Sequence, residues 1–313
     1  MAVPTLQTEN GNLYLQTGTN QRPIVVLGEV PWDIFEHSRR LGGAPLNFAA
    51  HASRLGHEAL LISAVGADSP GEEALEAIRG LGLSTTFLQK TARFHTGAAH
   101  VHPGPDNQTR FVIERPAAYD AVSISDGEIE WMASQAPAWL YFGTLFAANS
   151  AGDAVLSRLL KALPAAERFY DLNLRPDCYS ASLVVRLLRI ANVVKLSEEE
   201  LQRVHEFTGL PLTTEAFCRE GAGRYGWRGV CVTLGARGCA ILACGEYVET
   251  EGHAVDVADT VGAGDAFAAA FMHGLISRWS APEIAAFANR VGALVASRHG
   301  AIPAWTLEEA VAL

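Results

Sequence analysis

Asp259-Thr260-Val261-Gly262-Ala263-Gly264-Asp265-Ala266-Phe267 places two carboxylates on either side of a run of small residues. Gly262, Ala263 and Gly264 let the backbone approach a ligand, and the free N–H groups of a following first helical turn point at it. Phe267, Phe271 and Leu275 recur at every fourth position, so one apolar face of a buried helix begins near Asp265. Such a turn is an anion site. A carboxylate at the same helix start repels the phosphate those amides attract unless it first meets a substrate hydroxyl. If Asp265 accepts that hydroxyl's proton while the amides and a Mg2+ hold the charge of a γ-phosphoryl group, the stretch is a phosphoryl-transfer centre. Taken alone, the loop serves equally well as an N-cap in a glycine-rich turn.

The elements that must position this loop alternate. Pro23 to Val30 is a short β-branched run ending near Gly28 and reads as a buried parallel strand, with Asp33 just past its carboxyl end, where open α/β sheets bind ligands. Asp33 reads equally as a loop residue capping a turn. Gly42-Gly43-Ala44-Pro45-Leu46-Asn47 leads into a helix that ends at Leu55-Gly56, and Asn47 in its first turn offers both a donor and an acceptor. His57 to Gly66 is expected as a strand, Ser69 to Gly82 as a helix and Leu83 to Gln89 as a strand. Thr96 to His102 and Thr109 to Arg115 form a hairpin around Pro103-Gly104-Pro105-Asp106-Asn107-Gln108.

The rhythm then resumes. Ala138 to Leu145 is a strand containing Gly143. Phe169-Tyr170-Asp171 is a strand running into Leu172-Asn173-Leu174-Arg175, and Asn192 to Leu196 is a strand followed by the capping box Ser197-x-x-Glu200. Gly221-Ala222-Gly223-Arg224-Tyr225-Gly226 matches a dinucleotide pattern but follows the helical stretch Thr214 to Glu220 and precedes the strand Gly229 to Leu234. It is therefore rejected and read as a helix-to-strand connection. Gly235-Ala236-Arg237-Gly238 turns into a strand over Cys239 to Cys244, and Pro282 to Ser297 is a helix. The whole predicts an α/β, doubly wound, mostly parallel sheet flanked by helices.

These motifs, in this order from Ile24 to Pro303, resemble the ribokinase-like (PfkB) carbohydrate kinases, fructokinase-like branch. The resemblance implies a single ribokinase-like domain over 1–313 with a small β lid from about 33–41 and 95–116, which also supports a homodimer. It implies Asp265 as general base and Gly262, Ala263 and Gly264 as anion hole. Asp33, Gly42, Gly43, Asn47, Gly143, Asn173 and Arg175 would hold the sugar, and Lys195, Thr233, Gly235, Gly238 and Asn289 the ATP. Glu200 would hold Mg2+ through water, although Ser197 stands where the family usually has Asn, and Asp259 would bind K+. Gly-Gly-Ala-Pro is the version of the first signature typical of fructokinase-like members, which makes fructose the expected substrate. The alternatives are another sugar, a sugar acid such as 2-keto-3-deoxygluconate, or a non-catalytic sugar sensor on the same fold. A sugar phosphate lacks its usual Lys here, with Arg39, Arg40 or Arg110 as substitutes.

Composition bounds the partners. The chain has 313 residues, 49% hydrophobic and 19% charged, enough for a large core, and its net charge of -10 with no Lys/Arg run argues against nucleic acid or anionic membrane. Cys178, Cys218, Cys231, Cys239 and Cys244 include no C-x-x-C pair and read as reduced thiols. Met1 to Gln21 has no apolar signal core, so a soluble, cytoplasmic protein is expected.

Overall fold

The computed structural model describes residues 3–9, 12–18, 22–103 and 109–313. The strands are β1 (Val3–Glu9), β2 (Asn12–Gly18), β3 (Ile24–Leu27), β4 (Pro31–Ile34), β5 (Arg39–Leu41), β6 (Ala59–Gly66), β7 (Leu88–Thr91), β8 (Gly97–Pro103), β9 (Thr109–Ile113), β10 (Trp139–Gly143), β11 (Glu167–Asp171), β12 (Val193–Ser197), β13 (Gly229–Thr233), β14 (Cys239–Ala243) and β15 (Glu246–Thr250). The main sheet runs β15-β14-β13-β12-β11-β10-β3-β6-β7, parallel from β13 to β7, with β14 and β15 added antiparallel. From β3 the chain proceeds outward first to β6 and β7, then on the other side to β10, β11, β12 and β13. The strand order therefore reverses between β3 and β10, the place where a doubly wound sheet leaves a crevice at its carboxyl edge.

Both faces of the sheet are covered away from its edges, which is why β3, β6, β10 and β14 are buried throughout. In β3, Ile24 and Val26 pack into the core under the helices Ala44–Arg54, Ala263–Ile276 and Ala281–Ala296, while Val25 and Leu27 pack into the core under Ser150–Ala162 and Ala181–Ile190. Helix Ala263–Ile276 is buried from Ala266 to Gly274 because it lies between its two neighbours and the sheet. Its small residues permit that approach: a Cβ on Gly274 would lie 2.7 Å from Ile284 Cγ1.

A second sheet, β5-β4-β8-β9, stands apart from the first, with β4 and β8 parallel and both outer pairs antiparallel. It is built from the two segments expected to form the lid, and the tip of its hairpin, 104–108, lies outside the described residues, as do the side chains of 103–110, including Arg110. β1 and β2 form a separate antiparallel ribbon that the sequence reading did not anticipate.

Several boundaries differ from expectation. Asp33 lies past the carboxyl end of β3, but it is not a turn cap: it sits inside β4 of the second sheet, paired with Arg40 and Ala99. The strand expected over Leu83–Gln89 starts only at Leu88. The Ser84 hydroxyl accepts from Thr86 N–H, and Leu88 N–H donates to Thr85 C=O, so local turn bonds claim the backbone first. Helix Thr214–Tyr225 runs through Gly221 and Gly223 and ends on Gly226 at φ 76. The rejected glycine pattern is thus the last turns of a helix and its left-handed cap, not a connection. Gly221 is required there because a Cβ would meet the Trp227 ring at 2.1 Å. β15, overlooked in the sequence, follows a turn through Cys244 (φ 53) and Gly245 (φ 80). No helix among the described residues is long and apolar enough to cross a membrane.

Candidate active site

The carboxyl ends of β3, β10, β11 and β12 meet the start of helix Ala263–Ile276. Gly262 caps that helix at φ 80, and a Cβ there would strike the Ala301 backbone at 2.4 Å, so only glycine fits. Ala263 N–H is turned back to Thr260 C=O at 3.3 Å and Asp265 N–H to Gly262 C=O at 3.1 Å. Among the described residues no acceptor takes the Gly262 or Gly264 N–H. The latter is flanked by the Lys195 ammonium, which a Cβ on Gly264 would approach to 3.4 Å.

Asp265 lies in this first turn, and Asn47 Nδ2 donates to its Oδ2 at 2.8 Å. Asn47, expected against the sugar, thus orients the carboxylate, while its own Oδ1 is buried without a partner. Lys195 follows from strand register: it is paired with Asp171 across β11 and β12, and its Nζ donates to Asp171 Oδ1 at 3.0 Å and Oδ2 at 3.3 Å. Tyr141 OH completes that carboxylate at 3.1 Å. Asp171 is fully buried and Lys195 is 8% exposed, so each charge depends on the other. The sequence reading placed Lys195 at the nucleotide and gave Asp171 no role of its own.

Among the residues expected to hold a sugar, the paired glycines have separate causes. A Cβ on Gly42 would lie 2.2 Å from Asp33 Oδ2, and Gly43 sits at φ 105 with Glu29 C=O 2.3 Å from where its Cβ would be. Pro45 packs on Gly28, where a Cβ would lie 1.9 Å from the ring. Glu29, Asp33 and Asn47 are each more than nine-tenths buried, and Glu29 Oε2 and the Tyr119 hydroxyl have no partner among the described residues. Glu29 and Tyr119 escaped the sequence reading. Asn173 holds a left-handed φ of 43 and brings Arg175 over the ring of lid residue Phe111 at 5.2 Å. Gly143 pairs with Asp171 on the crevice floor.

The expected nucleotide residues cluster farther along the same edge. Thr233 ends β13, Gly235 begins a 3-10 turn at φ 60, and Gly238 leaves it at φ 101 with Thr250 C=O 2.0 Å from a Cβ position. Asn289 Nδ2 donates to the carbonyls of Thr250 and Glu251 at 3.4 and 3.3 Å, tying a helix to this turn. Glu200 takes Leu174 N–H at 2.6 Å and Ser197 N–H at 2.8 Å, so it joins the Arg175 loop to β12. Two of its lone-pair positions are left without a partner among the described residues. Among the described residues no three acids, histidines or cysteines converge as a metal cage. A groove of about 1080 Å³ at the amino edge of the sheet, lined by Arg22, His57, Trp139, Glu167 and Arg228, contains none of these groups.

Burial raises the Asp265 carboxyl to about 6: enclosure outweighs the nearby Lys195 cation and the Asn47 hydrogen bond, and Asp171 adds to the rise. The residue is only half-buried and keeps a path to solvent. Burial likewise lifts Glu29 and Asp33 to about 7 against the pull of Arg175. A base must be ionised, so kcat/KM is expected to fall as pH drops, with an apparent value between about 6 and 7 that belongs to the three carboxyls jointly. A rate profile from about pH 5 to about pH 9 tests this. An acid limb near the ordinary carboxylate value would remove Asp265 as the titrating base.

Residues 21–307 match the model of the pfkB family carbohydrate kinases. Fructokinase from Escherichia coli is 29% identical over 303 residues, covering 89% of this chain and 94% of that protein. The crystal structure of a fructokinase with bound ATP from Xylella fastidiosa superposes with a TM-score of 0.80 at 23% identity, covering 94% of this chain and 98% of that one. That of 2-dehydro-3-deoxygluconokinase from Thermotoga maritima gives 0.82 at 20% identity over the same shares. At these identities the two structures establish the ribokinase-like fold.

Proposed function

The chain belongs to the pfkB family of carbohydrate kinases, and from that premise we propose that it transfers the γ-phosphoryl group of ATP to a primary hydroxyl of a small neutral sugar, fructose foremost. The observation that carries the reading is Asp265 beside the open Gly262 and Gly264 N–H groups, with Lys195 behind them. The hydroxyl donates to Asp265, which takes its proton as the oxygen bonds to the γ-phosphorus and the bond to the bridging oxygen of ADP breaks. Charge developing on the phosphoryl oxygens falls to the two amides and to Lys195. Mg2+ carried by ATP would neutralise its phosphates, and we assign Glu200 to one of that ion's waters. Thr233, Gly235 and Gly238 lie along the ATP side of this reading.

A neutral sugar is favoured by the charges already in the crevice. Among the described side chains, Glu29, Asp33 and Asp265 face one uncommitted cation, Arg175, since Arg115 is paired with Asp120. Buried carboxyls bind hydroxyl groups well, and a further carboxylate placed among them would make each harder to ionise. Val112 on β9 is 46% exposed, and we place the homodimer contact on this outer face of the lid.

ADP formation across ketoses, aldoses, sugar acids and sugar phosphates with ATP and Mg2+ is the test. Fructose is expected to show the highest kcat/KM, by about tenfold or more over the sugar acids. A sugar acid at the top would overturn the substrate, and no ADP with any acceptor would leave only the sensor.

A further inference from the structure

Arg40, on lid strand β5, reaches across to the start of the catalytic loop. Its Nη1 donates to Asp259 Oδ2 at 2.9 Å while its guanidinium lies 5.2 Å over the Phe35 ring. The rest of the Asp259 carboxylate is also engaged: Val261 N–H donates to Oδ1 at 3.0 Å and Gly300 N–H to Oδ2 at 3.1 Å. A Cβ on Gly300 would stand 4.0 Å from the same Arg40 nitrogen, so the guanidinium lies beside both Asp259 and the Gly300 turn. Ala301, next in that turn, packs its backbone on Gly262, and its carbonyl is held by His51 at 3.0 Å. The anion-hole glycine is thus braced through a chain that begins at a lid arginine.

The resemblance implies K+ at Asp259, and these residues do not fit it. Both carboxylate oxygens have donors, and the Arg40 cation already sits at contact distance, where a second one is repelled. Resting on the kinase reading above, we propose that Arg40 is a positioning residue that supplies the cation of the Asp259 loop from the lid. Turnover therefore needs no monovalent cation, and seating the lid over the sugar also seats the loop that receives the phosphoryl group. An ammonium on Lys would preserve the charge but not the guanidinium's planar fork.

The test compares wild type, Arg40→Lys and Arg40→Met in potassium, sodium and tetramethylammonium chloride at equal ionic strength. Melting temperature is read without substrates, and kcat and KM with sugar and ATP. Wild type is expected to keep its melting temperature and, within about twofold, its kcat in all three salts. Arg40→Met is expected to lose about ten- to a hundredfold in kcat in tetramethylammonium. It should regain much of this in potassium, which should also raise its melting temperature, while Arg40→Lys stays largely independent of salt. A merely structural arginine would give no cation-dependent recovery. A wild-type melting temperature or kcat that rises with potassium would overturn the proposal, as would an Arg40→Met variant fully active in tetramethylammonium. Because the melting arm uses neither sugar nor ATP, it decides the role of Arg40 even if no acceptor is phosphorylated, an outcome that would sink only the kinase reading.

Discussion

Asp265→Asn is expected to lower kcat by about 10²- to 10⁴-fold with little change in the sugar's KM. The amide has the shape of the carboxylate, and its oxygen can still accept from Asn47 Nδ2, so the site keeps its geometry. It cannot take a proton. The size of the loss discriminates between two accounts of phosphoryl transfer. In a loose transition state the attacking hydroxyl carries little charge, and a base contributes only late. Here, however, the carboxyl has been raised to about 6, close to where a base works best, at a cost that binding alone would not require. The same burial predicts the sign of the stability change. A carboxyl whose folded value lies above its unfolded value penalises folding once pH exceeds the unfolded value. The neutral amide is therefore expected to be more stable near pH 8 by up to about 3 kcal/mol. Turnover and thermal unfolding measured on the same preparation check both halves. A variant with more than about a tenth of wild-type kcat would remove Asp265 as the base.

How much of this site could be read from the sequence depended on whether its parts were contiguous. Gly262 to Asp265 and Gly42 to Asn47 are each contiguous at a helix start, so residue type and spacing already marked both as candidates. The reason for Gly42, in contrast, is the carboxylate of Asp33 across a strand pair, and no local pattern contains that contact. Asp171 stood in plain view within Asp-x-Asn-x-Arg, but its dependence on Lys195 exists only in the parallel register of β11 with β12. Glu29 and Tyr119 carry no local signal of their own, and only folding buries them. The error over Gly221 to Gly226 has the opposite origin. Glycine weakens a helix by about 1 kcal/mol relative to Ala, yet Gly221 is retained because the Trp227 ring leaves no room for a side chain. Tertiary packing overrode a local rule there.

Lys195→Met separates the two tasks of one buried cation. The ammonium neutralises Asp171, fully buried with only Tyr141 besides, and it stands beside Gly264 and within the field of Asp265. Removing one partner of a buried pair leaves an uncompensated charge, so stability is expected to fall by about 3–5 kcal/mol. The chemistry changes as well. Lys195 is the largest influence holding the Asp265 carboxyl down against burial, so without it that carboxyl rises above about 6 and the acid limb of kcat/KM moves to higher pH. Activity at a pH above the new limb should still be lower by about 10²- to 10³-fold, because a cation next to the anion hole is gone. Adding Asp171→Asn distinguishes these effects. The amide still accepts from Tyr141 and no longer needs a counter-charge, so the double variant should recover most of the lost stability. Loss of the Asp171 charge returns the limb only part of the way, and nothing in the double variant replaces the ammonium beside Gly264. Recovery of kcat together with stability would make Lys195 a structural partner of Asp171 alone. Recovery of stability without kcat places its charge in the phosphoryl-transfer step.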